Sequence, residues 1–298
     1  MRSLATLIIA PIVALFVFNT AVGSNYTAKA YKSSMNFHKI EASNLVHVVV
    51  ESRTEGNIVA KIHNDFVPYF SIKVADGKLS VSINKERLKR NQRNDDSQIA
   101  VVYIPNNGNI DNISAHNLSK VTLMCDILTN ECEIDASGMS QITLKNITSK
   151  QCEIDLSGAS ILTAEHIKSY AVECEVGGAS NIAFSGTLYQ AEFDITGASK
   201  IDLHESIVKT VSAEISGASV FKSDNALFED AKIDISGASN LHLQSKICRA
   251  SVSGASNARF NCSEQLTIDV SGVSHVKYSG DCKLDVISNS GMSTIKKL

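Results

Sequence analysis

A tetrad, Ser-Gly-Ala-Ser or a close variant, recurs nine times between Ser137 and Ser293. Its glycines are Gly138, Gly158, Gly178, Gly197, Gly217, Gly237, Gly254, Gly272 and Gly291, at spacings of 20, 20, 19, 20, 20, 17, 18 and 19 residues. A unit this short cannot bury its own apolar face, so the units must stack, and a fixed period in this range marks a solenoid.

The columns of the aligned repeat say what kind of solenoid. Four residues before the glycine stand Ile134, Ile154, Cys174, Phe193, Ala213, Ile233, Ala250 and Ile268. The positions two and six before it, and four and six after it, are also apolar with few exceptions, Ser223 among them. Every second position is therefore apolar, which is the pattern of half-buried strands flanking the glycine. A third short apolar stretch completes each unit, as at Ile147, Ile167, Leu188 and Ile207. An all-β chain with no helical period and coils of this length fits a parallel β-helix. Coils advancing by about 4.8 Å give nine of them a length on the order of 40 Å. The glycine belongs at a corner between strands, where the backbone takes angles that other residues resist.

Three segments follow. Residues 1–23 read as a secretory signal peptide: Arg2, an apolar run from Leu4 to Val17, and the small-residue site Ala21-Val22-Gly23, with cleavage expected before Ser24. Residues 24–111 read as an N-terminal β cap with the first strands. Residues 112–298 read as the parallel β-helix, continuous with the cap. No second apolar run is long enough to suggest a transmembrane segment after removal of the signal. The expected location is therefore exported: periplasm, outer cell surface or secreted. A net charge of −3 gives no support for nucleic acid as a partner. One basic cluster, Lys85, Arg87, Lys89, Arg90 and Arg93, runs into Asp95-Asp96 and reads as a solvated loop.

Seven cysteines in an exported chain invite disulfides. Cys132 and Cys152 share a column of adjacent coils, and Cys262 and Cys282 are 20 residues apart, so both pairs are possible disulfides. There is no Cys-x-x-Cys and the eight histidines are scattered, which argues against zinc.

Within the N-terminal third, Asp76-Gly77 predicts a hairpin turn between Val74 and Leu79. Residues 113–123 read as a degenerate first coil, with Ser114-Ala115-His116-Asn117 in place of the tetrad. The order Val74-Ala75-Asp76-Gly77-Lys78-Leu79-Ser80-Val81, then Ile104-Pro105, then serial tetrads resembles the head GIN domain family of putative auto-transporter adhesins, bacterial exported proteins. The resemblance implies a right-handed β-helix and a cell-envelope location, and carries over no catalytic residue and no cofactor.

Three kinds of chemistry remain to be weighed. The tetrad serine is not a nucleophile elbow: the pattern is not Gly-x-Ser-x-Gly, and nine equivalent serines argue for structure. The column three before the glycine is acidic, with Asp135, Asp155, Glu175, Asp194, Glu214 and Asp234, and beside it run Glu133, Glu153, Glu173 and Glu192. Stacked carboxylates repel, and a divalent cation such as calcium would relieve that. A solvated acidic surface is the plainer reading, so the column is a calcium candidate and no metal site is assigned. Enzymes on β-helices place charged groups where the repeat breaks. The break here is the short coil from Gly237 to Gly254, with His242, Lys246 and Arg249 nearby and no long loop. The expected function is an exported binding or adhesion module of the cell envelope without catalytic activity. The alternative is a carbohydrate-active enzyme, a polysaccharide lyase or hydrolase. The partner classes left open are a cell-surface glycan and an envelope protein.

Overall fold

The computed structural model describes residues 15–16, 21–22, 25–32, 36–84, 86, 99–223 and 225–298. The basic cluster at Lys85 to Arg93 lies outside the described residues, as does most of the expected leader. Within that leader, the backbones of Leu15–Phe16 and Ala21–Val22 pair antiparallel with Tyr26–Tyr31.

The chain is a β-solenoid of stacked, parallel coils. Gln141–Leu156 pairs in parallel with Ile161–Val176 from Gln141↔Ile161 through Leu156↔Val176. Ile161–Val176 pairs in the same sense with Asn181–Ile195. The ladder continues without a change of direction to Thr294–Lys297. Residues one period apart in sequence are thus neighbours in space. The alternation read from sequence becomes a single interior, running from Leu79 and Val81 near one end to Val276 near the other.

Packing inside the stack is adjusted between coils. Phe193 stands between Cys174 and Ala213 in its column, so one large ring is accommodated by two small neighbours. Phe184 lies over Ala164, and Phe228 under Ser245. Phe193 and Phe221 meet edge to face, with centroids 5.4 Å apart. Such large–small interleaving is what close packing demands where the strand spacing is fixed. Ser223, the polar exception among the apolar columns, is buried and donates its Oγ hydrogen to the His242 carbonyl at 2.7 Å.

The corner explains the tetrad. Gly178 has φ +74°, and a Cβ there would lie 2.3 Å from the Gly158 carbonyl oxygen. The residue after the glycine, alanine in most coils, donates its N–H to the glycine carbonyl one coil back: Ala159 to Gly138, Ala179 to Gly158 and Ala198 to Gly178, each at 2.7 Å. The second serine of the tetrad turns inward and is buried at every coil from Ser140 to Ser274. Ser140 and Ser160 donate to the carbonyl three residues back, at 2.7 and 2.9 Å.

The same register corrects the reading of the degenerate coil. His116 pairs with Ser137, which places Asn117, Leu118 and Ser119 opposite Gly138, Met139 and Ser140. The tetrad equivalent is therefore His116-Asn117-Leu118-Ser119, two residues later than the sequence suggested. The signal was masked because the corner is built differently. Asn117 and Leu118 both take positive φ, 54° and 65°, where later coils use one glycine. Ser43-Asn44-Leu45 repeats the arrangement one coil earlier, with φ 62° and 66°. Asn tolerates this region better than other non-glycine residues.

Parallel pairing reaches back before residue 112. Lys39–Ser43 lies between Lys78–Ile83 and Asn112–His116, and Val46–Glu51 lies between Ala100–Pro105 and Lys120–Leu123. Spatial order thus departs from chain order. Lys78–Ile83 and Ala100–Pro105 lie outermost, and the chain then crosses back to continue the stack from 112. Antiparallel strands cover that outermost edge: Phe70–Ala75 on Lys78–Ile83, through the Asp76-Gly77 turn, and Ile58–His63 on Ala100–Pro105. An open parallel edge would otherwise offer unpaired backbone groups to other chains.

The corner geometry separates two glycines of nearly equal φ. Gly178→Ala places its Cβ against backbone and is expected to cost more than about 2 kcal/mol, seen as a lowered urea midpoint. Gly108→Ala, at φ +76° with nothing within 4 Å of the added carbon, bears only the conformational cost, about 1 kcal/mol.

Candidate functional site

Two surface features stand out from the repeat, one expected and one not. The expected feature is acidic. In-register pairing runs Asp135↔Asp155↔Glu175↔Asp194↔Glu214↔Asp234, and alongside it Glu133↔Glu153↔Glu173↔Glu192. The alternating pattern turns all ten side chains outward. With Ser137, Ser157 and Thr196, the first four of the longer column line an open trough of about 430 Å³. Glu153 and Asp155, at the centre, sit above the ordinary carboxylate range. For both, partial desolvation is the first cause. The charges of neighbours follow: Asp155, Glu133 and Glu173 on Glu153, and Asp135, Glu133 and Glu173 on Asp155. Among the described residues no group of three or more His, Cys, Asp or Glu side chains converges as a metal-holding set. The column therefore offers a cation a field and not a cage.

The column ends where charge changes. Ser212, Lys232 and Arg249 succeed Glu192 in register. At the short coil, Lys246 pairs with Glu229 at 3.4 Å and Arg249 with Asp230 at 2.8 Å. Both cations reach to carboxylates of the preceding coil. The carbonyl of His242 accepts from the Ser223 N–H at 3.2 Å as well as from its hydroxyl.

All seven cysteines are free thiols, five of them buried. Cys132 and Cys152 are register partners, and their thiols hydrogen bond, which together with burial holds the Cys152 thiol well above its usual range. Cys262 has neighbours on both sides: its thiol hydrogen bonds with Cys248 and lies 3.3 Å from Ser245 Oγ, and burial, together with its charge, holds the Cys282 thiol up. Burial pushes the Cys174 thiol up as well.

The unexpected feature lies at the bend that follows the third apolar stretch. Tyr170 and Tyr189 occupy equivalent positions of adjacent coils and stack with centroids 4.6 Å apart and planes 12° apart. Lys209, one coil further, sets its Nζ 4.3 Å from the Tyr189 ring centre and donates to Tyr189 Oη at 2.9 Å. That hydrogen bond, and the phenol beside it, hold the lysine above its usual range. Thr148, Lys168, Leu188 and Ile207 complete an open trough of about 400 Å³ around the rings. Tyr170 and Ile207 are 55% and 59% exposed, too open for an interior role. The cluster leaves little trace in the sequence. The signal available was two tyrosines 19 residues apart, at a position where other coils carry Lys150 and Lys209.

The carboxylate column makes stability depend on pH in a defined direction. Acids whose folded pKa is raised bind more protons folded than unfolded, so stability falls as pH rises from their ordinary values, 3.8 for Asp155 and 4.5 for Glu153, through the raised ones. The double variant Glu153→Gln, Asp155→Asn should therefore raise the melting temperature at pH 7, by about 1–2 °C given the exposure of these groups. The gain should vanish below both ordinary values, where the carboxyls are protonated in either state. Melts in millimolar calcium chloride against sodium chloride of equal ionic strength check the cation: a calcium-specific rise that the double variant abolishes marks a bound ion, and equal curves mark a solvated face.

The family described as putative auto-transporter adhesin, head GIN domain, matches residues 36–242. No curated protein matches the chain. Among solved structures, a putative adhesin from Parabacteroides merdae is similar over 92% of this chain and 97% of its own, at 13% identity and a TM-score of 0.56. A protein from Parabacteroides distasonis described as a putative lipid binding protein matches equally in extent, at 15% identity and a TM-score of 0.56. A second protein from that organism, a putative adhesin, does so at 12% identity and a TM-score of 0.52. These identities carry the fold, and the family match extends over more than two thirds of the sequence: the chain belongs to the head GIN domain family of putative auto-transporter adhesins.

Proposed function

We propose that this chain is an exported binding or adhesion module of the cell envelope that acts without catalysis. The observation that supports it most is the solenoid surface itself. Side chains of one chemistry are presented in register over several coils, as lines of carboxylates and as a tyrosine–lysine ledge, and not as a few unlike groups converging on one point. Catalysis needs a nucleophile or acid held within hydrogen-bond reach of a partner that activates it. Here the inward tetrad serines are hydrogen bonded to, or packed against, the corner backbone, and the cations of the irregular coil are taken up in ion pairs. A repeating surface suits an extended or repetitive partner, because each coil adds a similar contact. The family supports an adhesive role, and the sequence of residues 1–23 supports export.

Two measurements test this. The fluorescently labelled chain should bind whole bacterial cells or isolated envelopes saturably, and unlabelled chain should compete. Incubated with acidic and neutral polysaccharides, it should release no reducing or unsaturated ends above a heat-unfolded control. Reproducible release would establish the carbohydrate-active enzyme instead.

A further inference from the structure

We propose that the Tyr170–Tyr189 ledge, with Lys150, Lys168 and Lys209, binds a glycan chain carrying carboxylate groups. The proposal rests on the binding-module reading above and names its surface and ligand class. Tyr170 stacks on Tyr189 with one face and turns the other toward the preceding coil, where Lys150 holds the equivalent position and Thr148 and Ser149 line the trough beside it. The far face of Tyr189 is covered by Lys209. The pair thus leaves one aromatic face and two ring edges open. A pyranose ring has apolar C–H faces and a polar hydroxyl rim. It can lay a face on Tyr170 while its rim meets hydroxyl and ammonium groups.

Charge selects among sugars. Lys150 shares the column of Tyr170, one coil before it, and Lys168 projects from the adjoining strand. Both are exposed. Glu229, at the far margin, is matched by Lys246. The acidic column begins three residues beyond each tyrosine, at Glu173 and Glu192, on the next strand around the bend. An anionic ligand is therefore confined to the lysine side of the ledge.

Size separates a glycan from a protein. From Lys150 to Lys209 the ledge spans three coil steps, roughly 15 Å, and it is only two side-chain columns wide. A stable protein interface needs about 800 Å² per partner, several times this area. A single polymer chain fits, with one ring against Tyr170 and its neighbours within reach of the lysines.

The test uses the full chain with hexamers of galacturonate and of mannuronate, and maltohexaose as the neutral arm, by calorimetric titration. Binding of a uronate hexamer is expected, weakened by salt and stronger than binding of maltohexaose. Tyr170→Ala should weaken it about tenfold or more, the loss typical of a central aromatic contact. Tyr170→Phe should hold it within about twofold, because the ring face is kept. The pair Lys150→Gln, Lys168→Gln should remove most of the salt dependence. Melting curves establish that each variant is folded, and Tyr170→Phe keeps the test informative should the alanine variant unfold. Uronate binding that no ledge variant changes overturns this inference and leaves the binding-module reading standing. Preference for maltohexaose overturns the acidic class. No uronate binding overturns the inference outright, and the cell-binding assay reports separately on the broader reading. Sedimentation with phosphatidylglycerol vesicles, or self-association lost in Tyr170→Ala, each without uronate binding, would assign the ledge to a lipid surface or a second copy and overturn it too.

Discussion

Everything in this molecule depends on how closely one coil can approach the next at the corner. The alanine N–H lies 2.7 Å from the glycine carbonyl of the coil before, and the glycine itself leaves no room for a Cβ. That contact repeats down the stack and fixes the register of both flanking strands. A slip of one residue would turn every apolar side chain outward. The buried serine reinforces the corner locally, since its hydroxyl satisfies a backbone carbonyl that the tight turn leaves available. The tetrad is thus one device with separate tasks for the glycine, the small residue after it and the inward serine.

This is also why so much of the fold was legible. A device repeated nine times gives each column its own statistics, so the interior, the strands and the acidic line could be read by alignment of the chain with itself. What was not repeated was harder to read. The two N-terminal corners use Asn-Leu with consecutive positive φ in place of Gly-Ala, so Ser114 drew attention that belonged to Ser119. The crossover that places Lys78–Ile83 and Ala100–Pro105 outside Lys39–Ser43 and Val46–Glu51 leaves no local trace, because parallel partners need not be near in sequence. The Cys248–Cys262 contact joins different columns across a register shift between Ser245 and Ile247. The tyrosine ledge was invisible for another reason: two residues do not make a column, and only the structure shows that the position is a bend where rings can stack.

The short coil shows how the scaffold absorbs a change of length. From Gly237 to Gly254 the period loses three residues, yet the corner contact is unchanged, with the Ala255 N–H 2.7 Å from the Gly237 carbonyl. The deficit is taken up away from the corner. Phe228 pairs with Ser245 and Asp230 with Ile247, both 17 apart, so the bend after the second strand is trimmed and the strand before the glycine keeps its register. The corner is the invariant and the opposite bend is the adjustable part. The tyrosines, Lys209 and the ion-paired Lys246 share the other bend, which the trimmed coil leaves in register.

The outward columns carry the other consequence of fixed register. Strands spaced at about 4.8 Å force like residues into lines, and a line of like charge costs free energy that no packing recovers. The chain limits this by changing sign along the rod. The column that begins Glu133, Glu153, Glu173 and Glu192 passes through Ser212 to Lys232 and Arg249, then through Thr267 to Asp285. Inside, a column must stay apolar and conserve volume against its neighbours. Outside, it is free to change, and the first half of the rod keeps its carboxylates together although separation would be more stable. Nothing in the interior requires that concentration, and the acidic strand and the lysine-bearing ledge are presented side by side on the same coils.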